Sequence, residues 1–147
     1  MEDRYLYKAK TTPKEKGEFN NVWVTGNLIV SNGKYYIHPV GNVVNVKSEI
    51  GRIIVMHEVI PDTICRCTGL KDRNSKLIWE NDICDRKEEY PEIVKYNNGD
   101  WTLDYSYSKG KESGYCYCNL GFYALERKYV EVIGNIFDNQ ELLESEE

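Results

Sequence analysis

The stretch "TGLKDRNSKLIWENDICD", residues 68–85, decides the fold. Cys65 to Leu70 reads as a strand, Lys71 to Lys76 as a polar turn around Arg73-Asn74-Ser75, and Leu77 to Trp79 as the returning strand of a hairpin. Glu80, Asn81 and Asp82 make a second tight step, after which Ile83 and Cys84 begin another extended run. The stretch therefore reads as a junction, with Gly69, Asp72, Asn74, Glu80, Asn81 and Asp82 as its structural residues. Asp82 is placed there to accept from nearby backbone N–H groups. The competing reading makes Glu80 and Asp82 a paired acid site, since alternate residues of a strand share a face. No third ligand or partner supports that pair.

Outward from the junction, short β-rich runs alternate with turns. "NVWVTGNLIV" and "KYYIHPV" flank Asn32-Gly33, a two-residue hairpin signal, and predict strands near 22–30 and 34–39. "GRIIVMHEV", residues 51–59, is a β-branched run that stops at Pro61. "EYPEIVKY" and "WTLDYSY" form a further hairpin across Asn98-Gly99, and "KYVEVIGNIF" closes the β series. "DNQELLESEE" alone looks helical, with Asp138 or Asn139 placed to cap it. This pattern predicts a mainly β chain, an antiparallel sandwich or small barrel with a short carboxy-terminal helix.

At 147 residues, one core is the default, and 41% hydrophobic residues mark a globular chain. The net charge of −5 owes much to Asp138, Glu141, Glu144, Glu146 and Glu147, so the body without its tail is near neutral. That balance argues against the broad basic footprint behind most non-specific nucleic-acid affinity. The first twenty residues hold no apolar segment of the secretion-signal kind, and no run approaches the roughly 20 apolar residues of a membrane span. The expectation is a cytoplasmic protein whose five cysteines stay as thiols, with no disulfide.

"TGLKDRNSKLIWENDI", with "VIPDT" before it and "VEVIGNIFDNQELL" near the carboxy terminus, resembles the YopX protein family. "DRYLYKAK" and "VWVTGNLI" resemble that family's opening, so the likeness runs along nearly the whole chain. The resemblance implies a phage or prophage source and a mostly β protein, with an amino-terminal part over residues 1–76 and a small barrel over 77–147. It brings no activity with it. The family usually has Asn-Gly where this chain has Asn74-Ser75, and Glu-Gly-Asp where it has Glu80-Asn81-Asp82. Asparagine is the commonest non-glycine residue at positive φ and suits position 81, whereas serine suits position 75 less well.

Three constellations invite a chemical reading. Cys65/Cys67 and Cys116/Cys118 would place four thiols on adjacent strands, but residues i and i+2 of a strand lie roughly 6.6 Å apart. Two sulfurs on one zinc lie only about 3.8 Å apart, so buried thiols are expected rather than a metal site. Tyr105, Tyr107, Tyr115 and Tyr117 alternate around the "SKGKESG" loop, and in a hairpin they would form an aromatic face rimmed by Lys109 and Lys111. Such a face stacks single-stranded nucleic acid, while cross-strand packing is the more ordinary use of strand tyrosines. His38 and His57 lie in or beside β runs with no nucleophile motif near them, and no phosphate-binding glycine loop occurs. No enzyme, cofactor or metal is expected. The leading expectation is a cytoplasmic accessory protein acting through protein contacts, self-association included, and the alternative is a nucleic-acid module built on the tyrosine face.

Overall fold

The computed structural model describes residues 3–13, 21–39, 47–48, 51–52, 55–87, 90–105, 107, 118–126 and 128–144. The chain divides into two compact units, one of Tyr5–Arg66 and the other of Met1–Arg4 with Cys67–Glu147. The divisions fall between Arg4 and Tyr5 and between Arg66 and Cys67.

The amino-terminal unit is built on β1 (Tyr7–Lys10), β2 (Trp23–Ser31) and β3 (Lys34–Pro39). The short pairs β4 (Lys47–Ser48) with β5 (Gly51–Arg52) and β6 (His57–Glu58) with β3 follow, and β7 (Cys65–Lys71) begins beside β1. Asn32 and Gly33 have φ of 51° and 74°, so the β2–β3 hairpin closes on the two left-handed residues its sequence called for. Strand alternation turns Tyr7, Ala9, Val24, Leu28, Tyr35 and Ile37 to one side, where they pack with Val59. Of the run 51–59, only Gly51–Arg52 and His57–Glu58 lie in strands among the described residues.

In the other unit, β7 pairs with β8 (Leu77–Trp79), and β9 (Asp82–Asp85), β10 (Glu92–Asn97), β11 (Asp100–Asp104), β12 (Cys118–Asn119) and β13 (Glu131–Asn135) form a sheet. Its order is β12-β11-β10-β9-β13, antiparallel throughout. Ile78, Cys84, Val94, Leu103, Leu120, Ala124 and Val130 are buried together as its core. Asn98 and Gly99, with φ of 52° and 83°, again make the expected hairpin turn.

Two expectations are corrected here. The sheet is open: β12 and β13 stand at opposite edges, and no closed barrel occurs among the described residues. β12 has two residues before the chain leaves it, and on β13 the amide of Val132 donates to Asp72 of the β7–β8 turn. The carboxy-terminal helix is a single 3-10 turn, Gln140–Leu143. Of the two expected caps, Asp138 or Asn139, it is Asn139 that holds the N-cap position, but its Oδ1 accepts from the amide of Asn135 (3.1 Å) and makes no cap bond to the turn.

Candidate functional site

Asp72 is the centre of the junction. It is 6% exposed. Its Oδ1 accepts from the amides of Asn74 (2.8 Å) and Lys76 (2.9 Å), shaping the turn from within. Its Oδ2 accepts from the amide of Val132 (2.9 Å) on β13. Two further links join the same partners. Arg73 donates its amide to the Val130 carbonyl (2.9 Å), and its guanidinium meets Glu131 at 2.6 Å. Asn74 Nδ2 also reaches Glu131, at 3.3 Å. Burial pushes the Asp72 carboxyl up, but the amides of Val132, Lys76 and Asn74 and the charge of Lys76 outweigh it and hold it below its ordinary value. A carboxylate held this way is a fixed acceptor, poorly matched to proton transfer near neutral pH.

The second step is built in the same manner. Asn81 has φ 70°, the left-handed conformation expected of it, and Ser75 has φ 65°. The amide of Asn81 donates to the Val94 carbonyl (2.9 Å), and its own carbonyl accepts from the amide of Ile136 (3.0 Å). Asp82 is 2% exposed, and its Oδ2 accepts from the amide of Trp79 at 2.8 Å, closing the turn. Glu80 is half-buried. Gly69 has φ 78°, and a Cβ there would stand 3.0 Å from that of Arg4.

The tyrosine set is only partly placed. Tyr105 and Tyr107 are half-buried, while Lys109, Lys111, Tyr115 and Tyr117 lie outside the described residues. The Tyr107 hydroxyl donates to the Pro91 carbonyl (2.5 Å). Burial, then the charges of Glu92 and Tyr90, push its pKa up to about 12. Cys65, Cys67 and Cys84 are buried free thiols. Cys118 is disulfide-bonded, which corrects the expectation of thiols throughout. That expectation rested on compartment alone, which says nothing of where sulfurs lie. Cys116 is outside the described residues. His57 is buried on β6, and Nδ1 of His38 pairs with the Val55 carbonyl at 2.8 Å. Among the described residues, no group of three or more His, Cys, Asp or Glu is placed to hold a metal.

The sequence profile of the family described as YopX protein matches residues 3–144. This chain belongs to the YopX family. No curated protein matches it. No helix among the described residues of this YopX chain is long and apolar enough to cross a membrane.

Sequence reasoning missed two features of this YopX chain. Arg86 and Glu92 form an ion pair with side chains only 8% and 1% exposed. Arg86 also donates to Cys118 Sγ (3.1 Å) and stands 4.5 Å over the Tyr123 ring. No spacing rule links those positions, which meet only through the sheet. The second feature is Phe122, Leu125 and Tyr129, which are 45%, 61% and 46% exposed. Phe122 and Leu125 stand on a π-helical turn, Phe122–Glu126, started by Asn119, whose Oδ1 accepts from the Phe122 amide (2.8 Å). An asparagine three residues ahead of an apolar segment is the cap signal that would have found this turn.

Proposed function

We propose that this YopX protein is a non-enzymatic binding module of phage or prophage type, working in the cytoplasm through protein contacts, self-association among them. The observation that carries this reading is the exposure of Phe122, Leu125 and Tyr129 within one short segment beside β12. Large apolar side chains exposed to water mark contact surfaces where they gather, and interfaces are enriched in aromatics. Supporting it, the acids best placed for chemistry, Asp72 and Asp82, are engaged by backbone amides. The competing nucleic-acid reading of the tyrosine face is not favoured by Tyr107, whose ring is half-buried and whose hydroxyl is taken by Pro91.

The test immobilises the full chain and a Phe122→Ser/Leu125→Ser variant side by side. Partners are captured from a host lysate and identified by mass spectrometry, while light scattering measures self-association. A partner or oligomer lost in the variant at unchanged melting temperature supports the reading. Equal capture and equal mass for both proteins would sink it.

A further inference from the structure

Among the described cysteines, Cys118 differs from the rest. Cys65, Cys67 and Cys84 are buried thiols. Burial, then the charges of Asp82, Asp72 and Glu92, push the Cys84 thiol well up, away from the thiolate that reacts. Cys118 is half-buried and disulfide-bonded. A dissolved reagent reaches it more readily than the other three.

A cationic group is built against its sulfur. Arg86, directly after β9, donates from Nη2 to Cys118 Sγ at 3.1 Å. Two further contacts fix that guanidinium: Glu92, at the start of β10, accepts from its Nε, and the Tyr123 ring centroid lies 4.5 Å from its central carbon. The ion-paired side chains are only 8% and 1% exposed, and a hydrogen bond made away from water is electrostatically stronger. Glu92 offsets much of the positive charge, yet it binds Nε while Nη2 is directed at the sulfur. A disulfide sulfur is a weak acceptor and gains little from this donor. A thiolate in the same place is a charged acceptor, which such a donor favours.

We infer that Cys118 is a thiol–disulfide exchange site, with its Sγ as the leaving thiolate, Arg86 as the group that holds that thiolate, and an external dithiol as the reductant. A thiolate of the dithiol attacks the sulfur bonded to Cys118. The S–S bond breaks, and its electron pair goes to Cys118 Sγ, which leaves as a thiolate against Arg86. The second thiolate of the dithiol then closes on the mixed disulfide and releases the other protein sulfur as a thiolate, which takes up a proton. The protein disulfide is reduced and the dithiol is oxidised to a disulfide. A better-stabilised thiolate leaves faster, which is why attack falls on the sulfur bonded to Cys118 and not on Cys118 itself. In the cytoplasm of the proposed function, the disulfides that do form are usually transient, catalytic or redox-sensing. The inference goes beyond the protein-contact reading and uses none of Phe122, Leu125 and Tyr129, so the two fail separately.

The test is exchange in the folded full chain. Air-oxidised protein is treated with dithiothreitol at neutral pH without denaturant, quenched with iodoacetamide at timed intervals and mapped by mass spectrometry. We expect Cys118 to be blocked before reductant is added, and then to alkylate while Cys65, Cys67 and Cys84 stay unlabelled. Arg86→Met/Glu92→Leu, which replaces the ion pair with apolar groups, should slow reduction at Cys118 about tenfold, because the leaving thiolate loses its donor. Should that variant not fold, Arg86→Lys carries the comparison: it keeps the charge but loses the planar fork, and reduction should slow severalfold. Alkylation of Cys118 without reductant, reduction only in denaturant, or equal reduction rates in the wild type and the folded variant would each overturn the inference.

Discussion

The carboxylate of Asp72 accepts the amide of Val132 at 2.9 Å, and with that bond the turn of one hairpin seals the outer edge of β13. An edge strand presents unpaired N–H and C=O groups, which natural sheets cover to prevent stray pairing. Here the cover is the β7–β8 turn: Arg73 takes the Val130 carbonyl, Asp72 the Val132 amide, and the Arg73–Glu131 pair lies over them. The exposed ion pair adds little by itself. The buried carboxylate is the part that matters, because three amides depend on it.

Asn81 sits at φ 70° with both backbone polar groups engaged. Asn81→Gly should be neutral or mildly stabilising, because glycine adopts this conformation freely. Asn81→Val should cost about 1 to 2 kcal/mol, since a β-branched residue resists positive φ. Thermal melts of the two variants decide it, and equal stabilities would contradict the left-handed assignment.

A methyl group on Gly26 would collide with the His38 carbonyl oxygen and carbon on β3, backbone atoms that cannot step aside. Gly26→Ala should therefore cost about 3 kcal/mol. At Gly33 the added carbon meets nothing within 4 Å, and only the φ of 74° opposes it, so Gly33→Ala should cost about 1 kcal/mol. Urea unfolding of both proteins checks the order, and a reversed order would refute the close approach of β2 and β3.

Arg86 and Glu92 are buried together, and Glu92 is 1% exposed. Arg86→Ala should destabilise by about 3 to 5 kcal/mol, because it strands a carboxylate away from water. Arg86→Met/Glu92→Leu should recover most of that loss, as apolar replacements of buried pairs commonly do. If the double variant is no more stable than Arg86→Ala in denaturant unfolding, the charge pair is not the cause.

What the sequence made legible was local. Asn32-Gly33 and Asn98-Gly99 announce their turns because two positive φ values in a row admit few residues, and the strand Leu77–Trp79 falls where the apolar run lies. Asn81 was recognisable for the same reason, and Asp72 and Asp82 because short carboxylates accept from nearby backbone amides in turns. The open sheet was not legible, since its order rests on pairings between segments far apart in the chain, such as β13 with β9. The carboxy-terminal helix shrinks to the 3-10 turn Gln140–Leu143, and the oxygen of its N-cap Asn139 is used by the Asn135 amide instead, a local choice the sequence does not announce. Arg86 and Glu92 look like solvated charges until β9 and β10 are paired and the chain returns with Cys118 and Tyr123.

The central claim is that the stretch 68–85 is a clasp that helps to build this unit, with Asp72 at its centre. The measurement that tests it most directly is denaturant unfolding of the wild type and Asp72→Asn across pH. Because the folded carboxyl lies below its ordinary 3.8, its stabilising share is present in full above that value and is lost as pH falls through the lower folded value. The wild type should exceed Asp72→Asn by about 2 to 3 kcal/mol at neutral pH, since the amide cannot accept at both oxygen positions, and the gap should close in acid below pH 3.8. Equal stability at neutral pH, or a gap that does not shrink in acid, would contradict it.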